Sequence, residues 1–219
     1  TDATGRDQLV RVIYGSRVSL TVGVIATLIS TGIGLVMGAL AAFYGGWFDT
    51  IIMRLADMFL AIHYTLFVIT MLAVMGQGIQ NVFIAIGVLG WPSIARVFRS
   101  AILSVKENDY VDAARAMGAS DLRIIARHIF PNSVASIVVY ATMNIGGAIL
   151  TESALSYLGM GVTPPTPSWG IMIQDGQTFL QTQPWLMIMP GLAILSTVLA
   201  FTLLGDGLRD ALDVKMKDA

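Results

Sequence analysis

Cysteine is absent from the 219 residues, histidine occurs only as His63 and His128, and lysine only as Lys106, Lys215 and Lys217. Each shortage removes a class of chemistry. Without thiols there is neither a disulfide framework nor a thiolate site, and composition leaves the redox compartment unread. Two distant histidines supply no paired metal spacing, and no serine elbow accompanies them, so nothing here points to an enzyme. None of the lysines closes a G-x-x-x-x-G-K-[ST] run, and any energy drawn from ATP has to enter through another polypeptide. Charge is scarce too: 12% of residues, where soluble domains average roughly 25%. The net charge of -1 says little about partners, and nucleic acid is not among those expected.

What fills the space is apolar. Hydrophobic residues make up 55% of the chain and the mean hydropathy is +0.74, values at home only in a polytopic membrane protein with lipid as its surroundings. Five spans are predicted, at about 18–44, 51–75, 82–103, 132–150 and 185–204. The first contains no charge and reaches about 40 Å at 1.5 Å per residue, enough to cross with tilt. Within it Gly34 and Gly38 form a small-xxx-small pair suited to close helix approach. Residues 1–17 read as a polar approach segment, 18–213 as the membrane domain and 214–219 as a short charged tail. Nothing at the start looks like a signal peptide, and Thr1 stands where an initiator methionine would, which sets the expectation of a further helix upstream.

Basic residues orient the bundle. If the turn at 45–50, the stretch 104–131 and the tail share one side, only Arg6, Arg11 and Arg17 of the 13 basic residues fall on the other. The positive-inside rule then places that stretch and the C-terminus in the cytoplasm. Trp169 and Trp185 flank the longest non-spanning segment as interfacial aromatics should.

Few ionisable groups enter the spans, where a charge costs about 2.5 to 3.5 kcal/mol on insertion scales. Arg54 and Asp57, three apart, read as a pair with the arginine snorkelling, or as part of a pathway. His63 reads as a neutral imidazole bonded to a neighbouring helix, or as a pathway group. Glu152, at the far end of the fourth span where water can reach, fits capping and gating equally. Carboxylates near the midplane, which a proton-driven pump needs, are lacking.

The stretch 109–132 has a pattern of its own. It predicts two short helical pieces hinged at Gly118. Asp109 caps the first, whose Tyr110, Val111, Ala113, Ala114 and Met117 make a small apolar face. Ser120 caps the second, with Leu122, Ile125 and Ile129 as a stripe beside Arg123 and Arg127. Phe130-Pro131 is expected to end that piece and begin the next helix. Two readings fit: an amphipathic loop on the headgroups, or a docking element for a soluble partner.

This stretch resembles the EAA loop of ABC importer permeases, in which E-A-A is followed by three residues, a glycine, nine residues and I-x-L-P. Asp112-Ala113-Ala114 and Gly118 match with one substitution, and His128-Ile129-Phe130-Pro131 follows at the same interval. The histidine ending is similar to the dipeptide and oligopeptide branch, the DppC/OppC-type permeases. Thr1-Asp2, Gly5-Arg6-Asp7, Arg11, Tyr14-Gly15, Arg17 and Ser19-Leu20 resemble that branch's opening signature, with Val10 in place of a serine. Ala154 through Gly159, then Pro164-Pro165, Pro167 and Trp169-Gly170, resemble its ALSFLG to PP-x-P-x-WG run. Pro190-Gly191 and Leu204 through Asp213 resemble its ending, with Val214 where proline is common. One departure lies in the second span, where relatives often read L-A-L-P and this chain has Ala61-Ile62-His63-Tyr64.

The resemblance implies an all-α type I ABC importer permease, a transmembrane bundle with a cytoplasmic coupling helix in an EAA loop at 106–131. It implies coupling to an ATPase through Asp112, Ala113, Ala114, Arg115, Met117, Gly118 and Pro131. Implied partners are a homologous second permease, two cytoplasmic ATPases and an extracytoplasmic binding protein. ATP and magnesium would sit on the ATPases and no cofactor on this chain. The setting implied is the cytoplasmic membrane of a prokaryote, and the cargo di- or oligopeptides, with nickel or glutathione as alternatives inside the family. An ATP-independent channel or secondary transporter is the alternative outside it. Pathway candidates are His63, Asn144 and Glu152, with Gly146-Gly147 giving freedom near an outer gate.

Overall fold

The computed structural model describes residues 1–2 and 4–212, with the side chains of Arg115, Asp121, Leu122, Ala126 and His128 outside that description. The tail at 214–219, with Lys215 and Lys217, also lies outside the described residues. Among the described residues every regular element is helical: α1 Gln8–Tyr44, α2 Gly46–Ala61, α3 Tyr64–Met75, α4 Ile79–Lys106, α5 Asp109–Ala116, α6 Asp121–Ile124, a π turn Ile125–Ile129, α7 Phe130–Tyr157, α8 Trp169–Gln177 and α9 Trp185–Leu212. Of these, α1, α4, α7 and α9 are each long and apolar enough to cross a membrane, and α2 with α3 makes a fifth candidate, bent by 88°.

Helices outrun the apolar segments that announce them. Asp7 caps α1, its carboxylate accepting from the Val10 N–H, so the helix starts ten residues before the apolar run and takes in most of the predicted approach segment. The second span is not one straight helix. Ile62 (φ -90°, ψ 135°) and His63 (φ -59°, ψ 119°) are extended and divide it.

α1 and α4 form the central pair. A Cβ added at Gly34 would stand 2.6 Å from Ile94, and one at Gly38 only 2.7 Å from the Ala95 carbonyl, so these two glycines let the backbones meet. Further along the same pair, Val22 and Ala26 of α1, Val68 and Leu72 of α3, Val82, Ala85 and Leu89 of α4 and Leu155 of α7 make one continuous core. In lipid, where apolar side chains gain little by meeting one another, such close van der Waals fit is what binds helices.

Candidate functional site

At one end of the bundle α4, α5, α6 and α7 form an elbow. Val111 and Ala114 of α5 are buried with Phe98 and Ile102 of α4, Ala42 of α1, Ile124, Ile129 and Ile137 of α7. The expected apolar stripe is therefore divided. Ala114 faces inward with Val111, whereas Ala113 and Met117 face out, Met117 with 82% of its surface exposed. Asp109 is the first residue of α5 rather than its cap, and with Asp112 it places negative charge in the first turn, where the helix dipole favours it.

Gly118 ends α5 with φ +80°, and the Ala119 N–H donates to the Ala114 carbonyl at 3.1 Å. That six-to-one bond over a left-handed residue is a Schellman turn, which glycine adopts without the strain a Cβ would bring. No atom lies within 4 Å of where that Cβ would stand, so the constraint on Gly118 is conformational rather than spatial.

The second piece does not stop at Pro131. α6 runs through the π turn directly into α7, with Pro131 in the first turn of α7 and the Phe130 N–H reaching the Ile125 carbonyl. Proline lacks an N–H and its ring crowds the carbonyl four residues earlier; a wider turn just before it absorbs both defects. Arg123, Arg127 and Pro131 are exposed on the elbow's outer side, as is Asp112.

Two ion pairs tie α2 to α4 beside the elbow. Arg99 donates through Nε and a terminal nitrogen to both oxygens of Asp49, each at 2.5 Å. Arg96 pairs with Asp57, whereas Arg54 stands 3.9 Å from Asp57 and is 80% exposed. The local Arg54–Asp57 pair expected from spacing is thus secondary to one across helices, which sequence separation concealed.

Of the pathway candidates, Asn144 and Gly147 come together on a cavity between α1, α3, α4 and α7. His63 is exposed at the break, and among the described residues its ring makes neither a capping bond to α3 nor the expected bond to a neighbouring helix. Gly146 packs toward Val198 of α9 inside an unbroken α7 rather than loosening it.

Glu152 is fully buried, not water-reached as its position near a helix end suggested. Ser19 donates to one carboxylate oxygen at 2.8 Å and Ser156 to the other at 2.7 Å, joining α1 to α7. Trp169, expected at an interface, is also buried, and its Nε1 donates to the Val12 carbonyl at 3.0 Å. These bonds fasten α8 and the segment before it across α1 and α7.

The first residues close over the same end. Asp2 accepts from the Thr4 and Arg6 N–H groups at 2.9 and 2.8 Å, from Arg6 Nε at 2.7 Å and from Arg11 at 2.7 Å. Burial alone would push the Asp2 carboxyl up, but the hydrogen bonds from Arg6 and Thr4 outweigh it and hold the group well below the usual carboxylate range.

The family described as binding-protein-dependent transport system inner membrane component matches residues 32–218. The chain is 46% identical over 216 residues to a glutathione transport system permease protein of Pectobacterium atrosepticum, spanning 99% of this chain and 72% of that protein. It is 44% identical over 217 residues to a dipeptide transport system permease protein of Alkalihalophilus pseudofirmus, spanning 99% and 71%. Its fold is similar to a chain of the MetNI methionine ABC transporter in inward-facing conformations, with a TM-score of 0.77 at 18% identity over 93% of this chain and 97% of that one.

Proposed function

The chain belongs to the inner-membrane components of binding-protein-dependent transport systems, and on that premise we propose that it forms half of the translocation pore of an ATP-driven importer of di- and oligopeptides. The observation that carries this reading is end-to-end similarity to permeases named for dipeptide and glutathione transport. Glutathione, itself a small peptide, is the second reading, favoured by the P. atrosepticum relative.

In this reading the second half of the pore is a homologous permease, and an extracytoplasmic binding protein delivers the cargo. Two cytoplasmic ATPases bind ATP and magnesium. The elbow lies on the cytoplasmic side and inserts its outer surface, Asp112, Ala113 and Met117 with Arg123 and Arg127 alongside, into a groove on one ATPase. Gly118 and Pro131 keep its shape. The inner surface of the elbow is packed on three long helices, so a push on Met117 moves α1, α4 and α7 together. Asn144, Gly147 and the break at His63 line or border the route; Gly146 and Glu152 fix the helix that carries it.

Reconstitution tests this. In proteoliposomes holding both permeases and both ATPases, with binding protein on the extracytoplasmic face, labelled dipeptide uptake is expected to require ATP. Gly118→Val should abolish uptake while leaving membrane insertion and basal ATP hydrolysis in place, because the left-handed turn costs a non-glycine residue about 1–2 kcal/mol and reshapes the elbow. Uptake by this chain without ATPase subunits would refute the importer reading. Glutathione and dipeptide compared in one assay decide between the two cargoes.

A further inference from the structure

The cavity between α1, α3, α4 and α7 has a volume of ≈ 260 Å³, just under the roughly 300–1,000 Å³ of pockets for drug-sized ligands, and so suits one or two peptide units. Its polar lining is Thr27, Ser30, Tyr64, Ser93, Asn144 and Thr151, with no charged side chain among the lining residues. Most of the donors there are already spent. Ser30 donates to the Thr27 carbonyl at 3.0 Å, Tyr64 to Ile86 at 3.0 Å, Asn144 Nδ2 to Tyr140 at 2.8 Å and Thr151 to Gly147 at 2.9 Å. What remains is neutral and of both kinds: the Thr27 and Ser93 hydroxyls and the second N–H of Asn144 as donors, and the Asn144 Oδ1 and the hydroxyl lone pairs as acceptors.

One hydroxyl stands apart. Thr27 is only 4% exposed and its Oγ1 has no hydrogen-bond partner among the described residues. Buried polar atoms are nearly always satisfied, so an orphan in the wall of a polar cavity, closed to water in this conformation, marks a position whose partner arrives when the wall shifts.

We propose that this niche is a mid-membrane station for the backbone N–H of a peptide in transit, with Thr27 and Asn144 as its specificity-determining residues. The inference rests on the peptide-importer reading. A carboxylate or an ammonium would each arrive without a counter-charge. An amide N–H needs only a neutral acceptor and carries no charge to desolvate. The cavity reaches the surface of this chain at Leu60 and Gly147, both exposed, so cargo held there is in reach of a second permease subunit.

The absence of cysteine makes any introduced thiol unique on this chain. In the assembled transporter in lipid nanodiscs, Ser93→Cys should react with a small methanethiosulfonate reagent. Ala-Ala at about four times its Kd should slow that labelling about fivefold, the factor 1 + [L]/Kd. Ala-sarcosine at the same concentration, which keeps both charged ends but lacks the peptide N–H, should slow it less than about twofold, the scale of one net hydrogen bond lost. Thr27→Val, and separately Asn144→Leu, should erase the difference between the two dipeptides. Thr27→Val should leave the thermal midpoint unchanged or raised, because no bond within the chain is lost. Equal protection by both dipeptides, discrimination that survives both substitutions, or no labelling of Ser93→Cys overturns the station. ATP-dependent Ala-Ala uptake by the same transporter is followed in parallel; its absence counts against the importer reading instead.

Discussion

Glu152 was visible in the sequence as an ionisable residue near a helix end, but its partners were not. Ser19 lies 133 positions away, and only the packing of α1 on α7 brings its hydroxyl to the carboxylate. Glu152→Ala would leave the Ser19 and Ser156 hydroxyls without their acceptor and open a void, a loss of roughly 2–4 kcal/mol. A clear fall in the thermal midpoint in detergent, with Glu152→Gln closer to the parent, is the expected outcome. Equal midpoints for Glu152→Ala and the parent would mean the cluster holds nothing together. Asp2 supplies a pH dependence at the same end. Its carboxyl is held low in the folded chain, so the folded state binds fewer protons than the unfolded one. The clasp is therefore fully stabilising above about pH 4, the ordinary carboxylate range, and weakens as pH falls toward the lower folded value. Hydrogen exchange of segment 1–12, corrected for intrinsic rates, should stay protected at pH 5 and lose protection only in stronger acid. Protection already lost at pH 5.5 would contradict that order.

The break between α2 and α3 was not legible as a break, because the sequence offers no proline there and the apolar run continues on both sides. The backbone at this point would nevertheless accept one. His63 has φ -59°, inside proline's fixed range, and Ile62 before it is extended at ψ 135°, which is what a following proline requires. His63→Pro should therefore be tolerated, with stability unchanged or raised by about 0.4–1 kcal/mol through a less flexible unfolded chain. Uptake and thermal midpoint near parent values are expected. A collapse of either would give the imidazole a role that its exposure and lack of a capping bond do not suggest. The elbow was read better: a hinge at Gly118 needs a residue that tolerates positive φ, and glycine announces it. Its inward and outward faces were not separable, because Ala113 and Ala114 look alike until Ala114 is seen against the Ile124 and Ile137 core. Hydropathy likewise found the middles of the long helices and missed their ends, since the helical residues 8–17 and 205–212 carry polar side chains that no apolar window registers.

Orientation belongs to the whole molecule, and charge is its only signal in the sequence. Lys106 lies at the elbow end, its ammonium donating to the Ala42 and Phe43 carbonyls at 3.4 and 3.3 Å where α1 finishes, and the Asp49–Arg99 and Asp57–Arg96 pairs sit beside it. Some of these basic groups are thus engaged in pairs between helices, yet arginine and lysine resist translocation whether or not they later find a partner, so the asymmetry still orients the chain. The opposite end carries the Asp2 clasp, where Arg6 and Arg11 are paired with Asp2, together with α8 and the loops on either side of it, Thr163 in one and Leu180 in the other. Single thiols on this cysteine-free chain can report the sides separately. Met117→Cys, 82% exposed on the elbow, should react with a membrane-impermeant maleimide in inverted vesicles and stay unlabelled in intact spheroplasts; Leu180→Cys, 52% exposed at the other end, should do the reverse. On the proposed coupling contact, adding the ATPase subunits should then block Met117→Cys in inverted vesicles. Labelling of Met117→Cys from outside would invert the topology, and unchanged labelling with the ATPases bound would move the coupling contact away from this elbow.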